Sequence, residues 1–213
     1  MDSFKISMRG LAEVANASPA RKLSKLKKYK FPKSEESVGR SNYYVKALSA
    51  IKHHHRGDTS YVNSTLQALL MRAKAEKSPL RRAKLLNNHR AIKEYLKCFG
   101  SRALAIRPGK LLYYTFKELV VSAQPDLVAE ENGDLVLIKL NLSKEDFAGG
   151  VCATILHVLY EAAQAQGLPI KPTRVECLQT ASGSRIVGPR SGFPSRNSLN
   201  SDCQELLALW PAA

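Results

Sequence analysis

The chain has 213 residues, 44% of them apolar, with 33 Lys and Arg against 18 Asp and Glu. That is enough to bury a core in one domain, with or without a helical appendage, and no run of eighteen apolar residues offers a membrane span. The four cysteines, Cys98, Cys152, Cys177 and Cys203, are far apart and form no CxxC pair, which argues against a zinc knuckle or a disulfide framework and points to a reducing cytoplasm.

The first hundred residues read as helices. Phe4, Ile6, Met8, Leu11 and Val14 predict a first helix that stops at Asn16-Ala17-Ser18-Pro19, with Lys5, Arg9 and Glu13 breaking its apolar residues in a way unlike a secretory signal. A basic helix from Arg21 to Lys30 carries Leu23 and Leu26 at helical spacing, ends at Phe31-Pro32, and gives way to a loop over Ser34 to Arg40. Tyr43, Tyr44, Ala47, Leu48 and Ile51 recur at helical intervals, as do Leu66, Leu69, Leu70 and Ala73. Pro79 starts another helix that runs to Phe99, because its missing N–H is harmless in a first turn. His53-His54-His55 reads as a polar loop, since consecutive histidines point in different directions, and His89 as part of a charged helical surface.

After Gly100 the pattern changes to β. Ala103 to Ile106, Leu111 to Ser122, Leu127 to Glu130 and Asp134 to Leu142 predict strands, the last three forming a meander. Ser143 is a fair N-cap for a helix reaching about Gln166, where Gly167 and Pro169 stop it. Strands over Pro172 to Thr180 and Arg185 to Val187 follow, then a Gly/Pro/Ser/Asn-rich loop over Gly188 to Asn200 and a closing helix from Asp202 to Trp210.

The charge is uneven. Residues 1–100 hold 22 Lys and Arg against 7 Asp and Glu, while residues 101–213 hold 11 of each. A field concentrated in this way captures polyanions, which points to nucleic acid, with DNA ahead of RNA; a solvated helical surface is the plainer alternative. Arg21, Lys22, Lys25, Lys27, Lys28 and Lys30 form the densest cluster and are the expected phosphate contacts.

The chemistry-bearing motif lies in the second half. Asp126 follows Pro125 at the start of one β-like segment, Glu131-Asn132-Gly133-Asp134 makes a turn, and Lys139 stands near the end of the next segment. A hairpin projects alternate residues of adjacent strands onto one face, so an acid and a lysine can meet there. Leu135, Leu137, Lys139 and Asn141 share that face.

Pro125-Asp126, the Gly133 turn, the hydrophobic strand ending in Lys139 and a following helix with Tyr160 resemble the PD-(D/E)XK nuclease superfamily, in its RecB-like branch, from about Leu111 to Trp210. The resemblance implies an α/β fold: a restriction-endonuclease-like α-β-β-β-α-β core in residues 101–213, preceded by a basic helical region in residues 1–100. It implies Asp126 as a metal ligand, Lys139 as the catalytic lysine, and Mg²⁺ (or Mn²⁺) as cofactor. The chain departs from the family pattern at two places. Leu137 stands where the acid of the acid-x-Lys triplet belongs, and Leu156 where the branch carries glutamine.

A displaced carboxylate would restore the site. Glu161 is the first candidate as second metal ligand and catalytic acid, on a helix face shared with His157, Tyr160 and Gln164, and Glu130 and Glu118 are others. The expectation is a metal-dependent phosphodiesterase, a nuclease with a rearranged or weakened site. The rivals are a catalytically inactive nuclease-fold protein that binds nucleic acid or scaffolds a partner, and a basic surface that docks an acidic protein.

Overall fold

The computed structural model describes residues 4–31 and 43–213, so the loop expected over Ser34 to Arg40 lies outside the described residues. The architecture is mixed α/β, with two mixed sheets sharing the centre of the molecule. Among the described residues no helix is long and apolar enough to cross a membrane.

The chain enters through a strand where a helix was expected. Phe4–Ser7 forms β1, and α1 (Met8–Ala15) begins only after Ser7 caps it by accepting the Gly10 N–H at 3.0 Å. β1 pairs in parallel with Leu119–Ala123 (β4), which also pairs with Leu112–Phe116 (β3), giving a three-stranded sheet in the order β1-β4-β3. The segment Leu111 to Ser122 is therefore two strands joined at Lys117, a non-glycine residue with φ +50°.

The second sheet has the order β2-β5-β6-β7-β8, from Ala105–Arg107 (β2), Leu127–Glu131 (β5), Asp134–Asn141 (β6), Val175–Gln179 (β7) and Ser184–Val187 (β8). β5 and β6 form the expected hairpin. Asn132 and Gly133, both at positive φ, make its two-residue turn, whose twist matches that of the strands. β4 does not join this hairpin, so the expected three-strand meander is divided between the sheets, and β2 takes the place beside β5.

β6 and β7 run parallel, joined through α6 (Gly149–Ala165) and a short 3₁₀ turn at Pro172–Arg174. α6 starts at Gly149, several residues after Ser143. The Asn141 amide donates to Glu145 O at 2.8 Å and Gln179 accepts the Phe147 N–H at 2.7 Å, so residues 143–147 are pinned in a non-helical path. The closing helix α7 spans Arg196–Leu209.

Each face of the larger sheet has its own core. On one face Leu137, Val175 and Cys177 meet Cys152 and Ile155 of α6, and this core continues into β1, α1 and Leu26 of α2 (Pro19–Lys30). On the other face Leu127, Ala129, Val136, Ile138 and Leu178 pack on a three-helix layer. That layer consists of α3 (Val45–His55), α4 (Thr59–Ala75) and α5 (Pro79–Phe99). Both cores draw residues from either side of residue 100.

Candidate functional site

Asp126 sits where the chain enters β5. Its N–H donates to Ile138 O at 2.9 Å, and its carboxylate Oδ2 accepts the Leu140 N–H at 2.8 Å. The side chain thus extends the β5–β6 ladder by one rung. Lys139 Nζ lies 3.0 Å from the same Oδ2 and 3.5 Å from Gln124 O. The acid and the lysine are brought together, both about four-fifths buried, at 22% and 19% side-chain exposure.

Beside them the sheet is apolar. Leu137 is 1% exposed and lies in the α6-facing core with Ile155 and Cys177; Leu156 is equally buried. Cys177 stands opposite Lys139 in the β6–β7 register, and its Sγ meets Cys152 Sγ at 3.6 Å. Two thiols 25 residues apart are thus neighbours in the fold. The Cys152 contact and then burial push the Cys177 thiol well above its ordinary value, so it remains protonated.

Glu161 is held elsewhere. Its carboxylate lies 3.8 Å from His157 Nε2 and 3.8 Å from Arg196 Nε, under α7. Nine residues separate it from Cys152, the α6 residue nearest the Lys139 register, which is about 13 Å along a helix. No contact joins Glu161 to Asp126. The helix face shared by these residues is covered at His157, which is 6% exposed and stacked at 5.2 Å on Phe193, a ring that also touches Tyr160, while Gln164 at its far end stays exposed. Burial lowers the His157 imidazole below its ordinary value against the opposing pull of Glu161. Of the other acids considered, Glu130 pairs with Arg107 across the β2–β5 edge.

These residues do not fit a Mg²⁺ site. Among the described residues no three His, Cys, Asp or Glu side chains converge, and the one carboxylate oxygen facing the lysine already carries a lysine and a backbone N–H. Mg²⁺ demands near-octahedral oxygen coordination, which one engaged carboxylate and two packed leucines cannot supply.

The histidine run is the last turn of α3, where a polar loop was expected. His53 contacts Asp58 at 3.0 Å and stacks on Tyr61 at 3.8 Å; His54 reaches Gly100 O and His55 the Tyr95 hydroxyl, at 2.9 and 2.7 Å. Each points to a different neighbour, so they share no ligand.

The six expected phosphate contacts on α2 divide by role. Lys22 binds Glu205 at 2.6 Å, and Lys30 donates to Trp210 O and Ala213 O, tying α2 to α7 and the C-terminus. Lys25 is half-buried, and Arg21, Lys27 and Lys28 are exposed. More exposed cations stand at the corner between α4 and α5. There Arg72, Lys74, Lys77, Arg81 and Arg82 are all exposed, and Glu76 is the one acid among residues 72–82. Arg82 donates to the backbone oxygen of Glu76. Met71 at 66% and Leu80 at 84% exposure lie among these cations.

An ion cluster that the sequence did not lead one to expect surrounds Glu176. Glu176, fully buried in β7, accepts from Arg102 at 2.8 and 3.3 Å and from Arg185 at 3.1 and 2.6 Å. Arg102 also binds Glu131 through two bonds of 2.9 and 2.8 Å, and these hold the Glu131 carboxyl below its ordinary value. A signal existed: Glu176 is the one charged residue in Val175–Gln179, with Arg174 and Arg185 close on either side. No protein-family model matches the chain, and a search of curated proteins finds no relative.

Proposed function

We propose that this protein binds nucleic acid through the exposed cations of its helical layer and α2, on a nuclease-like α/β core that acts as a scaffold. The carrying observation is the α4–α5 corner, with five exposed cations in eleven residues, on a chain whose residues 101–213 hold acids and bases in equal number. Phosphate contacts of this kind set affinity and orientation without reading sequence. Arg21, Lys27 and Lys28 are a separate set of exposed cations on α2, which packs in the core of the opposite sheet face.

The core reading rests on order and register. Taking the β3–β4 hairpin as an insertion, α5-β2-β5-β6-α6-β7 runs helix, three strands, helix, strand, with the three strands antiparallel and the last parallel to its neighbour. Leu137 and Leu156, both packed, support the scaffold over the enzyme. The test is fluorescence anisotropy with duplex DNA at one fixed ionic strength. Replacing Arg72, Lys74, Lys77, Arg81 and Arg82 by Gln should weaken binding at least about tenfold, while Asp126→Ala leaves it unchanged. Equal binding by the wild type and the five-fold variant would remove this surface from the proposal, and binding by an acidic protein in place of DNA would redirect it.

A second reading keeps catalysis, because Asp126 and Lys139 meet at 3.0 Å in the order the resemblance requires. Its test is cleavage of linear and circular DNA and of RNA with Mg²⁺ or Mn²⁺ against EDTA. Metal-dependent cutting lost in both Asp126→Ala and Lys139→Ala would favour it.

A further inference from the structure

A concave site of a different kind lies at the far end of β6. Asp134 opens that strand and Lys139 stands five residues on, so the two ends are about 17 Å apart at the usual rise of a strand. The hollow holds about 420 Å³, and its polar lining is Asp134, Lys171, Thr173, Arg174, Arg185 and Arg190. Four of the eleven basic residues in the second half therefore face one cavity.

The arginines are set by the fold. Arg174 leaves the 3₁₀ turn and donates through Nε and Nη2 to Asp134 Oδ2 at 3.0 and 2.6 Å, with Nη1 3.6 Å from Glu131. Arg185, on β8, is anchored from behind by buried Glu176 through Nε and Nη2, which leaves the hydrogens on Nη1 free, and its side chain is 45% exposed. Gly188 passes so close to Pro172 O that a Cβ would lie 2.2 Å from it. That approach seats the following turn, closed by Gly192 N–H to Pro189 O, over the cavity. The turn carries Arg190, which is exposed and has no ion-pair partner among the described residues. Lys171 reaches Asp134 at 3.3 Å with 70% of its side chain exposed.

The acids do not balance these cations. Arg102, Arg174, Arg185, Arg190 and Lys171 are five, against Glu131, Asp134 and Glu176. Glu131 and Glu176 do not line the cavity, so it presents four cations against the one carboxylate of Asp134, which pairs with Arg174 and Lys171. Arg185 Nη1, the unpaired Arg190 and a lysine suit a tetrahedral dianion, whose oxygens accept several N–H bonds at once. The cavity has the volume of a small-ligand pocket.

We infer that this cavity binds a phosphomonoester dianion, with Arg190 and Lys171 as the recruiting cations, Arg185 Nη1 as a fixed donor and Arg174 as a fixed positive charge. The dianion has two possible sources, a free phosphorylated compound or the terminal phosphate of a nucleic-acid strand. The experiment uses inorganic phosphate as probe, titrated by calorimetry at constant ionic strength against chloride, on wild type and on Lys171→Gln/Arg190→Gln. Both residues are exposed and outside the buried cluster, so circular dichroism and the melting temperature should match wild type. Saturable phosphate binding that weakens at least about tenfold in the double variant is expected. Binding no stronger than that of chloride, or equal binding by the double variant, would overturn the inference. Arg190→Glu is the second variant and should abolish binding. Competition by 5′-phosphorylated but not 5′-hydroxyl oligonucleotides would assign the strand terminus, competition by neither would assign a free compound, and equal competition by both, through backbone diesters, would overturn the monoester assignment. The α4–α5 corner variant should keep its phosphate affinity, so loss of DNA binding there leaves this site standing.

Discussion

Asp126 carries two duties in one oxygen, an ion pair with Lys139 and acceptance of the Leu140 N–H. Asp126→Ala removes both and should cost about 1–3 kcal/mol in urea unfolding, while Asp126→Asn keeps an acceptor and should cost less. If both were neutral, the carboxylate would not be structural. His55 gives a pH signature. Burial, with help from His54 and Arg102, lowers its imidazole from 6.5 to about 4 in the folded protein. Between those values the unfolded chain takes up a proton that the folded one refuses. Stability is therefore complete above pH 6.5 and falls as pH drops toward 4, by about 2 kcal/mol after allowing for partial exposure. His55→Gln should flatten that part of the melting-temperature profile, and an unchanged slope would place the titration elsewhere. Carboxylates lowered by arginine partners, such as Glu131, lose their contribution only below their ordinary value of 4.5, as they protonate. Glu176 matters most for integrity. Glu176→Ala leaves Arg102 and Arg185 short of a buried partner and should cost about 3–5 kcal/mol.

At the scale of elements, β6 decides what the hairpin can do. Leu137 occupies the position of the missing acid, but its side chain is part of the α6-facing core. Leu137→Asp should therefore destabilise by about 3–5 kcal/mol, and added Mg²⁺ should not restore the melting temperature. Recovery specific to Mg²⁺ would show that an ion can be held there. The β5–β6 hairpin and α5 were legible because turn residues and periodicity act locally. β1 was not, because Phe4–Ser7 is a strand only through pairing with β4, more than a hundred residues away. The polar stripe on α6 misled for the same reason. His157 looks like a solvent-facing residue until the loop carrying Phe193 closes over it. The start of α6 was misplaced because Asn141 and Gln179, which hold the preceding segment, lie outside it.

For the whole molecule, the order of elements and the charge asymmetry could be read from the chain, but not which cations remain available. Lys22 and Lys30 look like their neighbours in sequence, yet both are committed to α7 and the C-terminus. The α4–α5 corner becomes a surface only when the two helices fold back and bring residues 72–82 to one end. Asp126 and Lys139 were identifiable as a pair because hairpin register brings them together; the buried cluster around Glu176 needs four strands and a preceding loop to assemble. The measurement to make first is the salt dependence of duplex-DNA affinity, for wild type and for the five-fold α4–α5 corner variant. Each neutralised phosphate contributes about −0.9 to the slope of log K against log salt. A steep wild-type slope that flattens by about 4 to 5 in the variant is the expected result. No DNA binding, or a slope that the variant leaves unchanged, would contradict a nucleic-acid surface on the helical layer.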